Sequence, residues 1–294
     1  NLVQDFMGFF TDSLQRAQTG GFDVRSYSQV VVVIIGPFHR GTSYRTTTFT
    51  LTDSANKSFQ VAVPVVVVST NTGWSRTAHE FGHAFGGFDD LYDAPNRGLG
   101  NWDLMDCTDC TNQTTGWNKD KAAAWFSGSQ MKILTRPTGI NRVDDTTILI
   151  PYETQSPLAG AVQSLRLDVG GGMHLYVENR QTLGGQTGSQ LLPAQGIIIS
   201  DADDNWVPTD PRKRILLYGG PLGPGAVFND QNYGPLKITI SAVLGQPQNL
   251  QVVTGWGPEP FYDLRIDPWT PPPWESPDIW IDSQANGWDV YEYT

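Results

Sequence analysis

Leu2, Phe6, Phe9, Phe10 and Leu14 recur at intervals of three and four, the spacing of one apolar helix face, which predicts a helix over residues 2–17. The glycines of "GGFD" (20–23) end it. The period then changes. "SQVVVVIIG" (28–36) is β-branched and uninterrupted, the pattern of a strand buried on both faces. "RTTTFTLT" (45–52) and "SFQVAVPVVVVST" (58–70) read as two more strands, and Pro64 inside the second favours an edge position. Helical spacing returns with Trp74, Ala78, Phe81 and Phe85, a core-facing stripe, after a cap at Asn71 or Thr72. Gly86 and Gly87 should stop this helix, and "NKDKAAAWF" (118–126) reads as a further short one capped by Asn118.

After about residue 137 the pattern is of short β runs separated by Gly, Pro and Asn turns: "TILIP", "SLRLDV", "HLYVENR", "GIIIS", "RILLY", "LKITISAVL" and "NLQVV". Such spacing predicts an antiparallel sandwich or barrel. The fold class expected is therefore an α/β (α+β) domain over 1–136 followed by an all-β sandwich-like domain over 137–258. "PWTPPPWESP" (268–277) reads as a stiff linker, and 259–294 as that linker plus the start of a possible further module.

Charge narrows the function classes. The net charge is −11 and the pI about 4.7, with Arg212-Lys213-Arg214 the one basic knot. Nucleic-acid binding needs clustered cations on phosphates, so it is not expected. No apolar run approaches the roughly 20 residues that span a bilayer, so no transmembrane segment is expected. The chain starts at Asn1 without a signal-peptide core, and we read it as a processed form or a fragment. Cys107 and Cys110 are the only cysteines; without a second pair they point to a local disulfide rather than to structural zinc.

The chemistry concentrates in "HEFGHAFGGFDDLYD" (79–93). Two histidines four apart on a helix point the same way, one turn apart, and suit two corners of a tetrahedral zinc. Glu80, beside the first, is placed as a general base. The helix breaks at Gly86, and a third ligand can then return to the metal: Asp89 three residues on, with Asp90 competing for the role. Tyr92 is a candidate oxyanion donor, although a packed tyrosine is the commoner use. "GNWDLMD" (100–106) puts Met105 in a turn-like context downstream.

Together "HEFGH…G…LYD…GNWDLMD" resembles the immune inhibitor A family of secreted bacterial metallopeptidases, within the metzincin-like zinc proteases. The likeness is specific over about 70–125, looser over "LYVENRQ…LLPAQGIIIS", and absent from 259–294. It implies His79 and His83 as zinc (Zn2+) ligands, Glu80 as general base, Asp89 as third ligand and Met105 as the Met-turn residue beneath the site. Two departures stand out: classical metzincins have histidine where Asp89 stands, and "GGFDDLYD" is one residue longer than the family spacing.

The expected function is a secreted zinc endopeptidase acting on proteins or peptides. Its rivals are a silent protease-like binding or toxin component and a secreted carbohydrate-binding protein, the latter suggested by the ten tryptophans. Intact Glu80 argues against a silent copy. "DADDN" (201–205) offers carboxylates for calcium (Ca2+), against the plainer reading of a solvated acidic turn. His39 and His174 read as surface or structural residues. Asn56 and Asn112 lie in N-x-S/T sequons, which matter only if a eukaryote secretes the chain.

Overall fold

The computed structural model describes residues 6–36, 42–92, 98–107, 113–123, 126, 129–138, 143–151, 159–182, 192–205, 215–230, 232–257, 281–283 and 288–290. The fold is largely β, with mixed sheets. Helix α1 (Phe6–Thr19) leads into β1 (Val30–Ile34), β2 (Thr42–Thr52) and β3 (Ser58–Ser69), which form a sheet in the order β1-β3-β2. Phe10 and Leu14 of α1 bury one face of this sheet together with Phe49, Leu51, Val61, Val63, Val65 and Val67. The other face of β3, at Val66 and Val68, packs under Phe81, Ala84 and Phe85. The segment carrying the two histidines therefore lies across the sheet from α1.

Two strand expectations are overturned here. Among the described residues β1 is an edge strand: it pairs there only with β3, in parallel, and Val31 and Val33 are 42% and 56% exposed. β3, with Pro64 inside it, is the central strand. Proline is tolerated because neither neighbour needs its missing N–H. The ladder to β1 begins at Val65, and the register to β2 breaks between Tyr44 and Thr47, opposite Pro64. The sequence motif for a buried strand and the motif for an edge strand have exchanged places.

The later strands form two five-stranded sheets. The first has the order β10 (Ile215–Leu222), β9 (Gly196–Asp203), β8 (Met173–Arg180), β7 (Ser164–Gly170), β4 (Met131–Thr135). The second has the order β11 (Val227–Asp230), β12 (Leu236–Val243), β13 (Gln246–Trp256), β5 (Val143–Leu149), β6 (Ala161–Val162). Both feed one core: Leu165, Leu167, Leu175, Val177, Ile197 and Ile199 from the first meet Ile238, Ile240, Leu250, Val252 and Trp256 from the second. Each such side chain contributes about 1.5–3 kcal/mol by leaving water. β4 joins the first of these sheets although it precedes the expected boundary at 136, because its parallel pairing with β7 completes that sheet's edge.

The first sheet is covered on both faces, which explains the unbroken "GIIIS". Ile197 and Ile199 enter the shared core, while Tyr176, Ala202 and Ile215 face the other way and pack with Phe88, Leu91, Leu104, Met105 and Trp117. Helix α3 (Gly116–Ala123) lies in this second layer. Asn118 is inside that helix rather than at its cap. Asp120 of α3 accepts a hydrogen bond from the Tyr176 hydroxyl and pairs with Arg166, and Lys121 pairs with Asp204. His174 bridges Asp168 and Asp204. It is a structural tie, as its isolation in sequence suggests, and His39 lies outside the described residues.

β14 (Ile281–Ser283) and β15 (Trp288–Val290) form a short antiparallel pair. The proline-rich 268–277, Asn112 and Cys110 lie outside the described residues. Cys107 is disulfide-bonded, and Cys110 is the only other cysteine in the sequence. Asn56 sits in the β2–β3 turn with φ 58, and its neighbours Ala55 and Lys57 donate to the Asp53 carboxylate. Among the described residues, no helix is long and apolar enough to cross a membrane.

Candidate metal centre

Helix α2 runs from Trp74 to Phe81 and continues as a π turn over Gly82–Gly86. Its N-cap is Gly73, not Asn71 or Thr72; the Thr72 hydroxyl is taken up by the Ser69 amide. Trp74 leaves the expected apolar stripe and is 67% exposed. The rest of the stripe packs as expected, Ala78 toward Leu104 and Met105 and Phe81 and Phe85 on Val66 and Val68, and His79 at 2% and Glu80 at 9% are buried as well. Gly87 closes the segment in the left-handed region at φ 68, as the double glycine predicts. A Cβ on Gly82 would come within 2.9 Å of both the Met105 sulfur and the Phe88 ring. The absence of that atom lets Met105, fully buried, pack directly beneath the helix.

Three donor atoms converge above this floor. His79 Nε2 lies 3.0 Å from His83 Nε2, and Asp90 Oδ1 lies 3.1 and 3.0 Å from these two nitrogens. Among the described residues this is the only group of His, Cys, Asp or Glu gathered closely enough to hold a metal ion. The carboxylate that faces the imidazoles is thus that of Asp90, not Asp89. The π turn gives the reason. It closes i→i+5 instead of i→i+4 and so spends about one more residue per turn than an α-helix. The additional residue of "GGFDDLYD" is absorbed there, and the chain returns to the histidines one position later than α-helical spacing predicts.

The tautomers follow from the outer contacts. His79 Nδ1 is 2.9 Å from the Leu104 carbonyl and His83 Nδ1 is 2.7 Å from the Phe88 carbonyl. A carbonyl oxygen only accepts, so both Nδ1 atoms carry the proton. In neutral rings both Nε2 lone pairs then point at each other and at a carboxylate. Three acceptors about 3 Å apart repel unless a positive charge lies among them. Two imidazoles and a carboxylate are a zinc-type donor set, and ligand atoms on a tetrahedral zinc sit roughly 3.3 Å apart. The residues present fit that ion. Asp90 is 36% exposed and His83 15%, so the centre opens on the Asp90 side.

The electrostatics agree with the contacts. Burial would raise the Asp90 carboxyl, but His79 and His83, which when protonated donate to it from Nε2 and attract it, outweigh burial and hold the group far below the usual range. Burial would lower His83, but Asp90, the Phe88 carbonyl and the nearby Glu80 charge together raise it above the usual 6.5. A proton on His83 therefore competes with a metal at higher pH than on a free imidazole. Zinc affinity should be flat above the His83 pKa and fall by about tenfold per pH unit below it, because one proton must leave for each ion bound. Chelator competition across pH 5–9 checks this; an affinity independent of pH throughout would remove His83 from the ligand set.

A second layer fixes the first. The 103–106 turn presents two successive carbonyls: Leu104 O to His79, and Met105 O to the Leu91 amide, next to Asp90. Asp103 and Asp106, both fully buried, hold that turn. Asp103 accepts from the Met105 and Thr115 amides, each at 2.6 Å, and from Asn118 Nδ2. Asp106 accepts from the Leu99 and Gly100 amides. Beneath them, Glu178 of β8 accepts from the Gly116 amide and pairs with fully buried Arg180. Burial pushes the Asp103 and Glu178 carboxyls up, opposed by these hydrogen bonds and by the Arg180 charge.

Sequence reasoning passed over Asp103, Asp106, Glu178 and Arg180. The two aspartates flank the Met-turn three apart, a visible signal. Glu178 and Arg180 stand in the polar run Glu178-Asn179-Arg180-Gln181 at the end of β8, which reads as an ordinary solvent-facing strand end. Of the other candidates, Tyr92 stacks on His79 with ring centroids 5.9 Å apart and is 40% exposed. The acidic run 201–205 does not gather: Asp201 accepts from Tyr233, Asp203 from the Asn205 amide, and Asp204 pairs with Lys121 and His174.

Comparison of the chain with protein-family models, with curated proteins and with solved structures found no match.

Proposed function

We propose that this protein is a zinc-dependent endopeptidase, with a metzincin-like catalytic domain followed by a β-sandwich-like domain, and that it acts outside the cell. The observation that carries the reading is the convergence of His79 Nε2, His83 Nε2 and Asp90 Oδ1, with both Nδ1 protons committed to backbone carbonyls. The resemblance of "HEFGH…LYD…GNWDLMD" to immune inhibitor A metallopeptidases supports it, with Asp90 taking the ligand role. A zinc ion held there would lower the pKa of a coordinated water toward about 7 and polarise a carbonyl.

The chain's own residues supply the rest. Glu80, one position after the first histidine, accepts a proton from the attacking water and returns it to the leaving amine. Met105 and the buried layer below it hold the imidazoles at one orientation. Substrate pairing at Val61–Val68 is not available, because that stretch belongs to the central strand. β2 is an edge of the same sheet and packs against α2 and the π turn. An extended peptide adding to β2 would run past His83.

Incubation with casein tests the reading. Hydrolysis should stop when a chelator removes the metal and return on adding one equivalent of zinc. Zinc binding without hydrolysis of any protein substrate would favour the silent binding component, and absence of zinc binding would overturn the reading altogether.

A further inference from the structure

We propose that Asp103 is a positioning residue for the metal centre, acting through the turn it clamps rather than by touching the ion. The inference rests on the zinc-protease reading and deepens it. His83 is oriented locally, by the carbonyl of Phe88 five residues away. His79 is not: its Nδ1–H is held by Leu104, twenty-five residues on. The same turn holds the Asp90 loop through the Met105 carbonyl and the Leu91 amide. Two of the three donor atoms therefore depend on where two consecutive carbonyls point.

A turn places its carbonyls only as well as its own amides are held. The Asp103 carboxylate spans the turn: Oδ1 accepts from the Met105 amide and Oδ2 from the Thr115 amide, while Asn118 Nδ2 reaches both oxygens. The Asp106 and Cys107 amides both donate to the Asp103 carbonyl. Asp103 is fully buried, so these bonds face no competition from water. No neutral side chain of the same shape reproduces the pattern. An asparagine has one acceptor oxygen, and its NH2 would face a backbone N–H, donor against donor.

The test compares Asp103→Asn with Asp230→Asn in the full chain. Asp230 of β11 is also buried and accepts from the Tyr218 hydroxyl and the Asn232 amide, but it belongs to the sandwich and touches nothing in the turn. Zinc affinity is read by competition with a chromophoric chelator, and ligand geometry by the visible spectrum of the cobalt(II)-loaded protein. Asp103→Asn should weaken zinc at least about tenfold, the usual cost of losing an outer-shell partner, and shift the cobalt bands. Asp230→Asn should leave both unchanged. Unaltered affinity and spectrum in Asp103→Asn overturn the proposal, as does equal weakening in both variants.

If Asp103→Asn does not fold without metal, Asn118→Ala replaces it. That change removes one donor to the same carboxylate, and should weaken zinc less than loss of the aspartate but measurably; no weakening overturns the proposal. Wild-type protein that binds neither zinc nor cobalt sinks the parent reading instead, so the two failures are distinguishable.

Discussion

Glu80→Gln protein should bind one equivalent of zinc and lose casein hydrolysis by at least about 10²–10⁴-fold, the contribution of a general base. Glutamine keeps the shape and burial of the side chain, so the helix that carries His79 and His83 should not move. It cannot take up a proton at neutral pH. Glu80 is outside the triangle formed by the two Nε2 atoms and Asp90 Oδ1, so metal content has no reason to fall. Metal analysis and turnover on the same sample separate the outcomes. A variant without stoichiometric zinc would make Glu80 a ligand or a support of the ligands. A variant with full turnover would remove it from the reaction.

Replacing the two neighbouring aspartates one at a time should give opposite results. Asp90→Ala should reduce zinc affinity by more than about 100-fold, beyond the 10–100-fold seen for outer-shell partners. Asp89→Ala should bind zinc as the wild type does. The asymmetry follows from the 3.0–3.1 Å contacts of Asp90 with both imidazoles. Asp90→Ala should also bring the His83 pKa down, since Asp90 is the strongest influence raising it. NMR titration of the metal-free protein would show this even where no zinc is bound. Zinc loss in the Asp89 variant alone would return the ligand role to Asp89.

Some of this was readable from the chain and some was not, for identifiable reasons. The i, i+4 spacing of His79 and His83 fixes their shared direction on any helical backbone, and a π turn at the second histidine does not undo it. Gly87 signalled the left-handed end of the segment, because few other residues accept that conformation cheaply. The third ligand was ambiguous by one residue, and the ambiguity lay in backbone hydrogen bonding that side-chain identity does not encode. The run Val30–Ile34 misled for a different reason. Apolar content shows that a strand can be buried, not that a neighbour arrives to bury it, and here only one side of β1 is paired among the described residues. Pro64 misled in the reverse sense: its missing N–H falls where β1 has not begun and β2 bulges. Asp103 was overlooked because a buried carboxylate looks like any other aspartate until the amides that satisfy it are seen.

The sheet of β10-β9-β8-β7-β4 has a consequence for modularity. One face belongs to the sandwich core and the other to the layer under the histidines. A chain cut after residue 136 would strand β4 with the wrong half and strip Tyr176, Glu178 and Arg180 from the residues above them. The half that carries the two histidines is thus not a cassette that recombination could move to a new partner by itself. Lineages that keep the histidine motif would have to inherit the β strands as its foundation.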